Sequence, residues 1–243
     1  MNDLSDATSS ESRMRRSTTA EQIKRLILLR GLHPGDVIPT ETDLCEELGV
    51  SRSSVREAIR TLATLDIVEV RHGVGTVVGQ MSLTPLVETL VFRGVLLPGD
   101  DLAALRDVVE LRCAFDLALA DAVVDAHRDQ PNESISRLVA RMIESADKEQ
   151  PYLLEDKQFH AELLAPLKNQ LAGQLVTAFW DIHSAVLPRL GLALPADLRQ
   201  TAQAHSDMFD AAKAGDRDAY GRAVVDHYEP LLRMLETSSA KAG

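Results

Sequence analysis

Apolar positions fall three and four apart along most of the chain, and the period changes at one place only. Ile23, Leu26, Ile27 and Leu29 form a helical stripe that starts from Thr19 and stops at Gly31, with Pro34-Gly35 just beyond. Past Pro39-Thr40, Leu44 and Leu48 stand four apart on a short helix closed by Gly49. Val50-Ser51 leads into a third helix, on which Val55, Ala58, Ile59, Leu62 and Leu65 form one buried stripe. Ser51 can cap that helix, whereas Ser54 with Glu57 fits a capping box that would start it three residues later. The pattern then turns β-prone: Ile67–Arg71 and Thr76–Val78 flank His72-Gly73-Val74-Gly75, which predicts a hairpin.

Two short helices joined by a Gly-containing turn make a helix-turn-helix, and the hairpin after them adds a wing. Residues 80–100 read as a less regular connection, with one helix between Pro85 and Pro98. From Asp101 onward the pattern is helical, with breaks expected near Pro131, Pro151, Pro166, Pro188, Pro195 and Gly215. No further strand is predicted. The expected fold is mainly α: a winged helix-turn-helix over 18–79, a linker over 80–100 and an all-helical bundle over 101–237. Residues 1–17 are polar, lack an apolar period and end in Arg13, Arg15 and Arg16, so a mobile basic-ended tail is expected there.

Composition narrows the class of protein. At 243 residues the chain suits two domains, and 45% apolar with 26% charged residues is an ordinary globular balance. No apolar stretch approaches a membrane span, and the first residues are too polar for a secretory signal, so a cytoplasmic protein with no membrane partner is expected. Cys45 and Cys113 sit in separate helical segments and read as reduced thiols without chemistry. The net charge of −11 argues against a nucleic-acid partner until its distribution is considered. Residues 1–79 carry 10 basic and 12 acidic side chains, while 80–243 carry 16 and 25. The acidity is thus mostly C-terminal, and any DNA contact must come from a local basic face.

Such a face exists on the third helix, where Arg52, Arg56 and Arg60 recur every four residues opposite the apolar stripe. On an isolated helix three arginines are merely solvated; the helix-turn-helix setting and the wing turn them toward a duplex. The stretch from Ile38 to Gly79, with Pro39-Thr40-Glu41, Gly49-Val50-Ser51-Arg52, Val55-Arg56-Glu57-Ala58 and Arg71-His72-Gly73-Val74-Gly75-Thr76, resembles the GntR family of bacterial repressors. That resemblance implies double-stranded operator DNA as partner, contacted by Ser51, Arg52, Ser53 and Arg56, with Arg60 on the same face and His72 and Gly73 at the wing tip near the minor groove. The family often has an arginine directly after the residue matching Glu41; here Thr42 stands there, and Arg13, Arg15 and Arg16 are the candidates to replace its contact.

In the C-terminal half, Asp156 and His160 are four apart on one helix face, while His205 and His227 point toward apolar stripes. By spacing alone these are satisfied core or surface residues more readily than ligands for one ion, and spacing does not decide between them. Asp156-x-x-Phe159-His160, Asn169-Gln170-Leu171, His205 with Ala211, Gly215 and Asp216, and then His227 resemble the FCD ligand-binding domain of the FadR subfamily. The resemblance implies that Asp156, His160, His205 and His227 hold a divalent metal that coordinates an organic-acid effector, a sugar acid or hydroxy acid. Zinc suits this mixed N/O set, with nickel or manganese as alternatives. Arg112 matches the helix lining the effector pocket, where a guanidinium can pair with an anion; its alternative is an ion pair with Asp116, four residues on. Many relatives carry Glu where Asp116 stands.

An enzyme is the competing class, because a metal in a bundle can activate water. No nucleophile motif, His-Glu-x-x-His pair, phosphate loop or dinucleotide fingerprint accompanies it. A purely structural metal site is the third possibility. The expected function is a homodimeric, metabolite-responsive regulator, a repressor released from DNA by its effector.

Overall fold

The computed structural model describes residues 18–97, 102–189 and 197–239. The tail expected over 1–17, with Arg13, Arg15 and Arg16, lies outside them. Contacts divide the chain into two units, Met1–Pro85 and Leu86–Gly243.

In the first unit three helices precede one hairpin: α1 (Thr19–Leu29), α2 (Glu41–Leu48), α3 (Arg52–Thr64), β1 (Val68–Arg71) and β2 (Gly75–Val78). Each helix starts where its sequence offers a cap. Thr18 Oγ1 accepts the Glu21 amide, and Thr40 with Asp43 forms a reciprocal capping box. Gly49 ends α2 at φ 67°, the left-handed conformation a glycine adopts without strain. The Ser54–Glu57 capping box is not used; α3 begins at Arg52, because Ser51 Oγ accepts the Ser54 amide at 3.2 Å. Ile23, Leu26, Leu44, Val55, Leu62, Val68 and Val78 close a single core beneath the helices and the hairpin.

The strands pair antiparallel, with Val68 opposite Val78 and Arg71 opposite Gly75, and Val37 adds an isolated bridge to Val77. Beyond the wing the backbone is laced to the turn that ends α3. The Gly79 amide donates to Ile67 O at 2.9 Å, the Met81 amide to Asp66 O at 2.9 Å, and the Ser82 amide to Asp66 Oδ2 at 2.8 Å.

Helix α4 (Thr84–Leu96) occupies the stretch between Pro85 and Pro98. The second unit then runs through α5 (Ala103–His127), α6 (Glu133–Asp147), α7 (Leu153–Leu164), α8 (Gln170–Arg189), α9 (Leu198–Ala214) and α10 (Arg217–Ser239). Helix α10 packs along α9 and α5, α9 also packs on α6 and α5, and α7 lies between α6 and α8. Val109, Val124, Ile135, Met142, Phe159, Val176, Met208, Val224 and Leu235 form the shared core. Helix α8 is described to Arg189, one residue past Pro188, near which a break is expected, and Pro230 lies inside α10. Proline removes one helical donor and leaves the Asp226 carbonyl without its usual partner, a cost that surrounding packing offsets here. Pro195 falls outside the described residues.

A Cβ built on Gly79 would come within 2.2 Å of Asp66 O, whereas one on Gly73, at φ 77° on the wing tip, would meet nothing within 4 Å. Gly79→Ala is expected to destabilise the first unit by about 3 kcal/mol, at the upper end of overpacking costs, and Gly73→Ala by only about 1 kcal/mol of backbone strain. Urea unfolding midpoints of the two variants check this order.

Candidate functional site

The two units each carry one concentration of polar side chains that folding alone does not require. In the first, Val55, Ala58, Ile59 and Leu62 pin α3 to the core, which turns Arg52, Arg56 and Arg60 out to solvent together. Ser51 and Ser53 are exposed at the start of the helix, their hydroxyls 2.8 Å apart, and Ser51 also meets the Ser54 hydroxyl at 2.9 Å. Free amides of the first turn lie there, a natural contact for phosphate. His72 and Gly73 are exposed at the wing tip. Arg71 on β1 is engaged with Glu69, its Nη2 2.8 Å from Oε2. Glu41, at the first position of α2, accepts from Arg56 Nε at 2.8 Å. Thr42 is exposed beside it.

In the second unit Asp156 and His160 on α7, His205 on α9 and His227 on α10 converge, with one ligand atom from each lying within 4.8 Å of all the others. Asp156 Oδ1 is 3.3 Å from His160 Nε2 and 3.4 Å from His205 Nε2. Neither contact has the alignment of a hydrogen bond. Asp156 Oδ1, His160 Nε2, His205 Nε2 and His227 Nδ1 are all buried without a hydrogen-bond partner. The rings are packed edge to face, His205 against Phe159 at 4.7 Å and against His227 at 4.4 Å between centroids.

Protonation favours ligation. His205 Nδ1 lies 2.7 Å from Thr201 O, and a carbonyl only accepts, so Nδ1 carries the proton and Nε2 turns a lone pair into the cluster. Burial above all, aided by the neighbouring imidazoles and Arg112 and opposed by Asp156, holds His227 well below the usual histidine range. It is therefore neutral at pH 7. Burial pushes the Asp156 carboxyl up, but attraction to His160 and His205 outweighs it and keeps the group ionised. Two atoms bound to one ion at about 2.1 Å stand roughly 3.0–3.4 Å apart in tetrahedral or octahedral geometry, and both contacts of Asp156 fall in that interval. Three imidazoles and one carboxylate of this size fit a divalent metal ion.

Beside the cluster, Arg112 on α5 is 2% exposed and its guanidinium carbon lies 5.2 Å from the centre of the Tyr228 ring. Asp116, the alternative partner considered for Arg112, accepts a hydrogen bond from Tyr228 Oη at 2.5 Å. Tyr228 follows His227 and packs on it at 4.7 Å, so one aromatic ring joins the arginine, the aspartate and the histidine cluster. Burial, with the Asp116 carboxylate adding to it and Arg112 opposing, raises the Tyr228 phenol well above its usual range, so it remains a donor. Spacing gave no sign of Tyr228, because its partner is 112 residues away. Tyr152 was also missed: its ring stands edge-on to His205, and its hydroxyl donates to Leu198 O at 2.7 Å, fastening α9 where it starts.

A winged helix-turn-helix followed by a helical bundle with an inward-facing His/Asp cluster defines a class of DNA-binding regulators. Residues 15–78 match the family model described as bacterial regulatory proteins, gntR family, and residues 107–230 match the FCD domain. The chain belongs to the gntR family of DNA-binding transcription regulators, with an FCD domain as its second part, and not to an enzyme family. It is 27% identical over 203 residues to the galactonate operon transcriptional repressor of Escherichia coli strain K12, covering 84% of this chain and 89% of that protein. It is 26% identical over 224 residues to the HTH-type transcriptional regulator Mce2R of Mycobacterium tuberculosis, covering 90% and 88%. Among solved structures, Streptococcus agalactiae GntR is similar, with a TM-score of 0.60 and 27% identity over 88% of this chain and 97% of that one. No helix among the described residues is long and apolar enough to cross a membrane.

Tyr228→Phe removes the phenol that Asp116, 3% exposed, receives. A hydrogen bond to a buried charged group contributes about 1.5–3 kcal/mol, so the variant should unfold at correspondingly lower denaturant. Unchanged stability would mean that the Asp116 carboxylate has another adequate partner.

Proposed function

We propose that this regulator is a cytoplasmic, homodimeric repressor that leaves its operator when a small organic acid binds at a metal held by Asp156, His160, His205 and His227. The observation that carries the proposal is the set of four buried donor atoms, one from each residue, that face one another without a hydrogen-bond partner. Asp156 Oδ1 and, with Nδ1 donating to Thr201 O, His205 Nε2 offer lone pairs to the space between them, and a cation there would satisfy them. Zinc suits the mixed imidazole and carboxylate donors, with nickel and manganese the alternatives. When bound, the ion would offer open coordination positions to a carboxylate and an adjacent hydroxyl oxygen.

Charge supports a monoanionic effector. Arg112 against Asp116 and Asp156 leaves the buried site one formal charge negative, a divalent ion makes it one positive, and a single carboxylate restores neutrality. Arg112, buried beside Tyr228, is the group to orient that carboxylate. The E. coli relative named for the galactonate operon points to the same class, a hydroxylated carboxylate. In the first unit, Ser51, Arg52, Ser53, Arg56 and Arg60 with the wing residues His72 and Gly73 are proposed to meet the duplex, α3 lying in the major groove. Two copies then read a pseudo-palindromic operator, and the effector acts through its differential affinity for the arrangements that hold and release DNA.

Purified protein should contain about one divalent ion per chain, as the one four-ligand cluster among the described residues implies, and His205→Ala should lose it. With metal present, a hydroxylated monocarboxylate such as galactonate should release the protein from a duplex selected out of a randomised pool, and the His205→Ala protein should stay bound. Metal content unchanged in His205→Ala would overturn the site, and tighter DNA binding on adding the acid would reverse the sign of regulation.

A further inference from the structure

The three outward arginines of α3 are not equivalent. Among the described residues, Arg52 and Arg60 have no ion-pair partner, whereas Arg56 donates through Nε to Glu41 Oε2 at 2.8 Å. The pair lines a shallow recess with Ile59, Arg60 and Val70, framed by α2, α3 and β1. Both side chains are substantially solvent-exposed, at 60% and 41%. An ion pair this exposed contributes little to stability. Its effect lies in geometry and charge.

A guanidinium has five donors in a planar fork. With Nε committed to Glu41, the fork is tethered at one nitrogen and keeps its two Nη groups for another acceptor, the edge that pairs bidentately with guanine O6 and N7. The same carboxylate offsets the positive charge of Arg56 and places a negative charge next to it, which makes this arginine a poor partner for phosphate. Arg52 and Arg60 keep their full charge for the backbone. Contacts to phosphate position a protein on DNA, and contacts to base edges select the sequence.

We propose that Glu41 is a specificity-determining positioning residue: by holding Arg56 it assigns that arginine to reading a base, and it leaves phosphate neutralisation to Arg52 and Arg60. The inference rests on the reading that α3 faces DNA, and it goes beyond it by dividing the work among residues on that face.

The test uses the full-length protein and a randomised duplex pool, with selected sequences read for wild type, Glu41→Ala, Glu41→Gln, Arg56→Gln and Arg60→Gln. Arg56→Gln should flatten the preference at one base position of the half-site by about tenfold, the effect of a modest bidentate contact. Glu41→Ala should flatten the same position while binding non-selected duplex more tightly, because a repelling charge is gone. Glu41→Gln retains an oxygen acceptor and should keep the preference. Arg60→Gln should leave the motif intact and reduce the slope of log affinity against log salt by about 0.9. Glu41→Ala protein that unfolds at the wild-type temperature yet selects the wild-type motif would overturn the role of Glu41. An unchanged motif in Arg56→Gln would instead remove the DNA-facing reading itself, and the inference with it.

Discussion

Four buried polar atoms that face one another without a hydrogen-bond partner are the constraint around which the helical unit is organised. The Asp156 carboxylate only accepts, His205 donates through Nδ1 to Thr201 O and so turns the lone pair of a neutral ring's Nε2 inward, and burial holds His227 neutral at pH 7. Leaving a polar group buried and unmet costs about 1–3 kcal/mol, and four of them would consume much of a domain's typical ~5–15 kcal/mol of stability. The fold nevertheless brings them together from three helices and braces them from behind. Thr201 O fixes the His205 tautomer, Tyr152 and Phe159 pack against its ring, and Tyr228 backs His227. Such bracing belongs to a site held ready for a ligand.

The first unit solves an opposite problem, how a chain with a net charge of −11 offers anything to a polyanion. The answer is local. Apolar anchors on one side of α3 place its arginines on the other, and the acidic residue that approaches them, Glu41, engages one guanidinium through a specific nitrogen. Charge far from this face disfavours other orientations on the duplex. A regulator needs both properties: weak general attraction to DNA, so that release is possible, and strong contacts confined to one surface.

Much of this was legible in the order of residues, for identifiable reasons. Helix limits followed from Pro39-Thr40, Ser51, Gly49 and Gly215, because caps and breaks are local and their residue types are few. The hairpin followed from a change of period around two glycines. The ligand residues could be named, yet spacing did not bring His205 and His227 to Asp156; that required the packing of α7, α9 and α10. The same limit hid the Tyr228 bond to Asp116 and the ion pair between Glu41 and Arg56, each joining different helices. Pro230 sits within α10 at the loss of one helical hydrogen bond.

The central claim is that these four side chains make one metal site. It is tested most directly by the X-ray absorption spectrum of the protein loaded with one equivalent of zinc. The account predicts a first shell of nitrogen and oxygen at about 2.0–2.1 Å with the outer-shell scattering of several imidazoles. A shell containing sulfur at about 2.3 Å, or oxygen ligands without imidazole, would contradict it.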